Sequence, residues 1–249
     1  MSRTVMLTLP RDAEGKLPPI HPTLIHDGTD AVLVDPGCSG MLPAVEAALR
    51  GLGVDPARLT RVFITHHDHD HMGALAALLR ACPQVRVAAS PEQAPYIEGR
   101  KKSLRLAQAE AAFDSLPEAE KPAALAFQKL VAAVEPVRVD DMVRGGDVLP
   151  CCGGIEVLDT PGHMPGHISL FVRASQTLVA GDALTAEAGR LGLANPRFTL
   201  DMPVALASLR HLAERDDIRR VICHHGGMVE GDIRGAILEA LAQAEGGAA

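Results

Sequence analysis

The chain is poor in aromatic residues: of 249 residues, five are Phe, one is Tyr and none is Trp. A core without large rings has to be filled by Ala, Val, Leu and Ile, and few flat platforms remain on which the bases of a single-stranded nucleic acid could stack. Positive charge is also scarce. Lys and Arg number 24 against 31 Asp and Glu, a formal net charge of −7, which argues against a dedicated nucleic-acid binder. The five cysteines, Cys38, Cys82, Cys151, Cys152 and Cys223, are odd in number and hold no C-x-x-C pair, so they read as reduced thiols of a cytosolic protein. No apolar stretch approaches the roughly 20 residues of a membrane span, and the apolar run up to Leu9 is shorter than the core of a signal peptide. The expectation is a soluble, cytoplasmic protein with neither nucleic-acid nor membrane partners. G-x-S-x-G is missing as well, which sets aside a serine nucleophile on a strand-to-helix elbow.

What is present is an apolar fraction of 47% at modest charge, too much for a disordered chain, and a rhythm of short strands and helices. Ala31–Val34 is a buried-type strand that stops at Asp-Pro-Gly, and residues 41–52 repeat apolar positions at helical spacing. Arg61–Thr65 and Val85–Ala89 are further strands around a helix over 74–82. Residues 91–135 carry no strand-like run and predict two or three helices, an insertion that could act as a lid. Within it the basic segment 99–105, Gly-Arg-Lys-Lys-Ser-Leu-Arg, reads as a solvated helix face, with anion steering as the alternative. Strands resume at 154–159, 168–172 and 177–180, followed by a helix over 203–214, a strand at 221–223 and a closing helix over 231–244. The two halves share this rhythm without a close sequence repeat, and the whole of 1–249 reads as one domain with helices covering a sheet.

Four apolar strands end in loops rich in His or Asp: residues 65–73, 159–167, 181–183 and 223–227. Loops at strand ends are held in register by a rigid scaffold, and imidazoles and carboxylates gathered there are the ligand set of borderline divalent metals such as zinc. Residues 66–71 are drawn only from His and Asp. On an extended segment His66, Asp68 and Asp70 point to one side, because side chains alternate with period two. A turn into the following helix brings His71 back to the same side, while His67 and His69 point away and read as polar neighbours.

Thr65 to Gly73, Thr-His-His-Asp-His-Asp-His-Met-Gly, resembles the Thr-His-x-His-x-Asp-His-x-Gly signature of the metallo-β-lactamase-fold hydrolases. The resemblance continues through His163 in Thr-Pro-Gly-His, Asp182 in Ala-Gly-Asp-Ala and His225 in Cys-His-His-Gly-Gly, and it covers residues 24–227. It implies an α/β fold, a four-layer αβ/βα sandwich, with the helical insertion at about 91–135 added to it. It also implies two divalent metal ions, zinc foremost. His66, Asp68 and His163 would hold the first ion, and Asp70, His71 and His225 the second, with Asp182 bridging both. Asp68 stands where the family has its second His. That exchange makes a cluster of two ions, three carboxylates and one hydroxide neutral instead of singly positive. It also makes iron or manganese more plausible at the first position.

The same resemblance implies hydrolysis, with a hydroxide shared by the two metals attacking an ester, lactone or thioester of a small molecule. Asp70 doubles as a ligand and as the group that orients the nucleophile or passes a proton. Asp35, in Val-Asp-Pro-Gly, would orient a ligand His or cap a turn; His167 would support the site or face substrate; Tyr96 would reach over the site or pack as a surface ring. Of the pair His224 and His225, the His-Gly-Gly context favours His225 as the ligand. A homodimer is compatible with the sequence. Two other functions stay open: a mononuclear-iron oxidoreductase of the sulfur dioxygenase kind, and a metal-binding protein without catalysis.

Overall fold

The structure, a computed structural model, describes residues 2–12 and 14–246; Met1, Ala13 and the tail 247–249 of the range read as one domain lie outside the described residues. Two mixed sheets carry the fold. The first, in the order β1-β2-β3-β4-β5-β6, consists of Arg3–Met6, Thr23–His26, Ala31–Val34, Arg61–Phe63, Arg86–Ala89 and Asp141–Met142. The second contains β7 (Val148–Leu149), β8 (Ile155–Asp159), β9 (Ile168–Val172), β10 (Thr177–Gly181), β13 (Arg220–Cys223) and β14 (Gly227–Glu230), in the order β14-β13-β10-β9-β8-β7. A separate hairpin joins β11 (Thr185–Glu187) to β12 (Arg190–Gly192). The helices are α1 (Leu42–Gly51), α2 (His69–Met72), α3 (Leu75–Ala81), α4 (Ala94–Ile97), α5 (Leu104–Ala112), α6 (Lys121–Ala132), α7 (Met202–Ala213) and α8 (Ile233–Gly246).

Period-two alternation explains the layers. Along β3 the side chains of Ala31 and Leu33 enter a core shared with Val45 and Leu49 of α1 and Leu75 and Leu78 of α3. Val32 and Val34 point the other way and join Ile25, Phe63, Ile155, Val157, Leu170 and Val179 between the sheets. In β10 Leu178 and Ala180 turn outward to a third core with Leu209 and Leu212 of α7 and Ile237 and Leu241 of α8. The order is helix, sheet, sheet, helix: the four-layer αβ/βα sandwich. Strands buried on both faces read as unbroken apolar runs, which is why β3 and β9 are visible in the sequence without an alternating pattern.

The topology sends six strand ends to one edge. β3, β4 and β5 are mutually parallel, and β10 is parallel to β13. β8 is antiparallel to β9, which is antiparallel to β10, so β8 also runs with β10. In open α/β sheets the crevice outside the carboxyl ends of the strands is the natural site for ligands. The two sheets meet at that edge, where the Ile168 N–H donates to the Thr65 carbonyl and His21 N–H to the His224 carbonyl. The insertion between β5 and β6 forms α4, α5 and α6, and two of these lean over the same edge. No helix among the described residues is long and apolar enough to cross a membrane.

Candidate metal centre

β3 ends at Asp35, whose φ of 53° puts it in the left-handed region that a short polar residue tolerates better than most. This turn aims its buried carboxylate at the loop that follows β4. Thr65 donates to it twice, from N–H to Oδ1 at 2.9 Å and from Oγ1 to Oδ2 at 2.7 Å. His71 Nδ1 lies 2.8 Å from the same Oδ2, and His66 Nδ1 lies 3.1 Å from Thr65 Oγ1. With that hydroxyl committed to Asp35, His66 Nδ1–H donates to it and His71 Nδ1–H donates to the carboxylate. One buried carboxylate therefore fixes the Nδ1 proton of two imidazoles and leaves both Nε2 atoms facing the strand edge. Among the described residues, His66 Nε2, His71 Nε2 and Asp182 Oδ1 are buried with no hydrogen-bond partner. Leaving such groups unsatisfied costs roughly 1–3 kcal/mol each, and a cation supplies what they lack.

The remaining side chains close around these atoms. Asp68 precedes the short helix α2 without a side-chain capping bond to it, and its Oδ2 lies 3.3 Å from His66 Nε2 and 3.3 Å from His163 Nε2. On the other side His225 Nε2 is 3.3 Å from Asp70 Oδ2, and His71 Nε2 is 3.3 Å from Asp182 Oδ1. Asp182 Oδ2 lies between the two groups, 3.5 Å from His163 Nε2 and 3.6 Å from His225 Nε2. Donor atoms bound at about 2.0–2.1 Å to one tetrahedral ion lie about 3.3 Å from each other. The donor set, its spacing and its unpartnered atoms fit a divalent ion: His66–Asp68–His163, His66–His71–Asp182 and His71–His224–His225 each bring three donor atoms within 4.8 Å of one another, and the first two share His66.

The charges follow from this packing. Burial and the neighbouring His71 pull His66 down to about 4, so its ring is neutral and free to ligate near neutral pH. Burial would raise the Asp35 carboxyl, but the charge of His71 overrides it and holds the group at about 2; against its own burial His71 is pushed well above the ordinary imidazole value by the Asp182 and Asp35 carboxylates, so without a metal its Nε2 carries a proton that an ion would replace. The Asp68 and Asp182 carboxyls are likewise held well below the ordinary range against their burial, Asp68 by the His163 and His66 imidazoles and Asp182 by His225 and His71.

His167 is fully enclosed, and both ring nitrogens are used: Nε2 accepts from the Asp182 N–H at 3.1 Å, and Nδ1 pairs with Thr160 Oγ1 at 2.9 Å. It therefore positions the Asp182 loop and does not face the cavity. Gly181 makes that approach feasible, since its φ is +55° and a Cβ there would sit 2.8 Å from His167 Nε2. His224 packs against His71 with ring centroids 3.8 Å apart and the rings tilted by 30°, and its Nε2–H donates to the Asp70 carbonyl at 3.0 Å. That leaves His225 as the neighbour of Asp70 and Asp182. His67 turns away, as expected: its N–H donates to Gln93 Oε1 at 2.8 Å, and its Nε2 accepts from the Leu104 N–H at 3.1 Å. Tyr96 stacks on the His67 ring at 4.5 Å and is not among the residues lining the cavity, so of its two readings the structure places it as a packed ring.

A cavity of about 400 Å³ opens over the cluster and is lined by Asp68, Asp70, His163, Asp182 and His225 together with Arg11, His69, Phe127, Leu130 and Phe198. A second, largely apolar cavity of about 390 Å³ lies between α5 and α6, and Arg105, Phe127 and Phe198 line both. His69, expected to point away from the site as a polar neighbour, instead lines the cavity rim, edge-on to Phe127 at 5.5 Å. Arg11, Phe127 and Phe198 carry no signal in the sequence, because each reaches the site from a segment with no motif of its own.

Arg105 corrects the reading of segment 99–105 as a solvated face. Only 2% exposed, it donates from Nη2 to Asp68 Oδ2 at 2.6 Å and from Nε to Asp68 Oδ1 at 3.1 Å. The register of α5 explains the difference. Ser103 caps that helix by accepting from the Leu106 N–H, and the His67 bond to Leu104 pins its first turn, so the next residue points inward while the lysines stay outside. The neutral charge count for the site omitted this guanidinium, and including it restores one positive charge.

Comparisons with known proteins agree with this geometry. The family model described as the Metallo-beta-lactamase superfamily matches residues 16–224. A hydroxyacylglutathione hydrolase of Alkalilimnicola ehrlichii is 32% identical over 196 residues, covering 78% of this chain and 56% of that protein. Another, from a Synechococcus species, is 29% identical over 206 residues, covering 81% of this chain and 62% of its own length. The chain thus spans little more than half the length of these curated relatives. Among solved structures, a metallo-beta-lactamase family protein from Thermus thermophilus superposes with a TM-score of 0.74 at 24% identity, covering 98% of this chain and 79% of the other. Since the family model matches residues 16–224, well over half of the chain, the chain belongs to the metallo-beta-lactamase superfamily.

Proposed function

We propose that the protein is a metal-dependent hydrolase of small-molecule esters, lactones or thioesters, with two divalent ions, zinc foremost, held at the strand edge. The observation that carries this reading is the set of buried, unpartnered atoms His66 Nε2, His71 Nε2 and Asp182 Oδ1, converging from the ends of two strands, β4 and β10. His66, Asp68 and His163 would hold the first ion, and Asp70, His71 and His225 the second, with Asp182 shared. Bound there, such ions supply a hydroxide from water at neutral pH and polarise a carbonyl oxygen.

The chain's own groups do the rest. Asp35 and Thr65 keep the two imidazoles in the ligating tautomer. Asp70, whose Oδ1 is 3.6 Å from His69 Nδ1 at the cavity rim, is placed to orient the nucleophile and to pass a proton to the leaving group. Phe127, Leu130 and Phe198 exclude water on the side where the acyl part would lie, and the adjoining apolar cavity has room for its continuation. Relatives named hydroxyacylglutathione hydrolase favour a thioester among the three linkages. The insertion suits a small acyl substrate, and a homodimer remains compatible with this reading.

A panel of thioesters, lactones and aryl esters with acyl chains of increasing length tests it. Turnover of at least one class, abolished by chelator and restored by zinc, is the expected result. Turnover that survives chelation, or none across the panel by metal-loaded protein, would contradict the reading.

A further inference from the structure

We propose that Arg105 is a built-in cation that competes with the first metal ion, so that the two metal positions differ in affinity and fill in order. The proposal rests on the reading of the strand edge as a metal centre. Arg105 Nη2 lies 2.6 Å from Asp68 Oδ2 and also 3.2 Å from His163 Nε2. These are two of the three donor atoms assigned to the first ion. The Nε2 of a neutral imidazole has one lone pair, and it serves either an N–H of the guanidinium or a metal, not both. An ion entering between His66, Asp68 and His163 therefore has to displace this contact, and it enters beside a fixed positive charge in a water-poor site, where like charges repel strongly.

The second position carries no comparable burden. The nearest cation, Arg11, stays 4.0 Å from Asp70 Oδ2 on a side chain 23% exposed, so it can withdraw into solvent. The pattern of satisfied and unsatisfied atoms agrees. His71 Nε2 and the shared Asp182 Oδ1 lack partners, whereas of the three donors of the first position only His66 Nε2 does, Asp68 and His163 Nε2 being already served by Arg105.

Arg105 is not free to leave the region. Nη1 donates to Gln108 Oε1 at 2.5 Å, and the guanidinium lies 5.2 Å from the centre of the Phe198 ring. With one face on an aromatic ring and its N–H groups shared among Asp68, His163 and Gln108, it is held as a positioned charge. The pairing also accounts for Asp68. A carboxylate where the family signature has His supplies the anion that a buried guanidinium needs, and the two residues together keep the net charge that the usual His would leave. Side chains that contact metal ligands tune metal affinity by about 10- to 100-fold, and that is the size expected here.

The test is a titration of metal-free protein with Zn²⁺ against a chromophoric chelator, for the full chain and its Arg105→Gln and Arg105→Lys variants. The wild type is expected to bind one ion tightly and a second about 10- to 100-fold more weakly. Arg105→Gln removes the charge and should tighten the weaker class by about that factor; Arg105→Lys keeps the charge and should leave the gap. If Gln weakens or does not change the second class, Arg105 supports the first position instead of opposing it, and the proposal fails. It fails too if Lys closes the gap as far as Gln does. A wild type that binds two ions equally would overturn the proposal alone, while absence of binding in every variant would overturn the metal reading beneath it. Arg105→Met serves in place of Arg105→Gln if the latter does not fold.

Discussion

Replacing Asp35 by Asn should separate the fold from the metal centre. Asn tolerates the left-handed backbone that Asp35 adopts at φ 53°, so β3 and its turn persist. The carboxylate, however, accepts from three groups: Thr65 N–H on Oδ1, and Thr65 Oγ1 and His71 Nδ1 on Oδ2. An amide has one acceptor atom and one donor atom. With its oxygen kept on the Thr65 N–H, its NH₂ faces His71 Nδ1, which must then accept, and the proton moves to His71 Nε2, the atom meant for the ion. With the amide flipped, the NH₂ opposes the Thr65 N–H, and a buried donor goes unsatisfied at a cost of roughly 1–3 kcal/mol. Either arrangement should lower affinity at the position built on His71 by about 10- to 100-fold, or roughly 1.4–2.8 kcal/mol. Chelator competition with Zn²⁺ measures it, and circular dichroism checks the fold. Wild-type affinity in folded Asp35→Asn would refute the assignment of Asp35 as the group that sets the tautomer of His71.

Phe127 lines both the chamber over the cluster and the apolar cavity behind it. Phe127→Ala should raise KM for long acyl chains by about tenfold, the value of roughly 1.4 kcal/mol of lost apolar contact, with little effect on kcat or on the shortest substrates; an equal loss at every chain length would argue against an acyl path there. Far from the site, Glu156 accepts from Arg215 Nη1 at 2.8 Å and from Arg173 Nη2 at 3.1 Å. The hydrogen bond from Arg215 is the main reason its carboxyl is held below the ordinary value. A depressed folded pKa means stability that is fully present above the unfolded pKa and lost as the pH falls through the folded one. Glu156→Gln should therefore cost about 1 kcal/mol at pH 7, roughly 2–4 °C in Tm, and the difference should vanish in strong acid. A Tm gap independent of pH would contradict this.

The parts that the sequence makes legible are those whose physics is local. β3 and β9 show as apolar runs because both faces are buried, and the His/Asp string 66–71 follows a strand because β4 ends there. The one residue departure at Asp68 is visible, but its partner is not. Arg105 lies 37 positions away in a segment whose other basic residues are exposed, and only the register set by Ser103 and His67 turns it inward. The edge strands β1 and β14 and the hairpin β11–β12 are short and half exposed, with no alternation strong enough to announce them. Similarly, the role of His167 depends on the Asp182 N–H, which a linear reading cannot bring near it.

The central claim is that divalent ions sit among the imidazoles and carboxylates at the strand edge. Crystals grown with Zn²⁺ and measured on both sides of the zinc absorption edge test it directly. The account predicts an anomalous peak enclosed by Asp70, His71, Asp182 and His225, joined at high zinc by a weaker one beside His66, Asp68 and His163. A difference map without an anomalous peak within bonding distance of these side chains would contradict it.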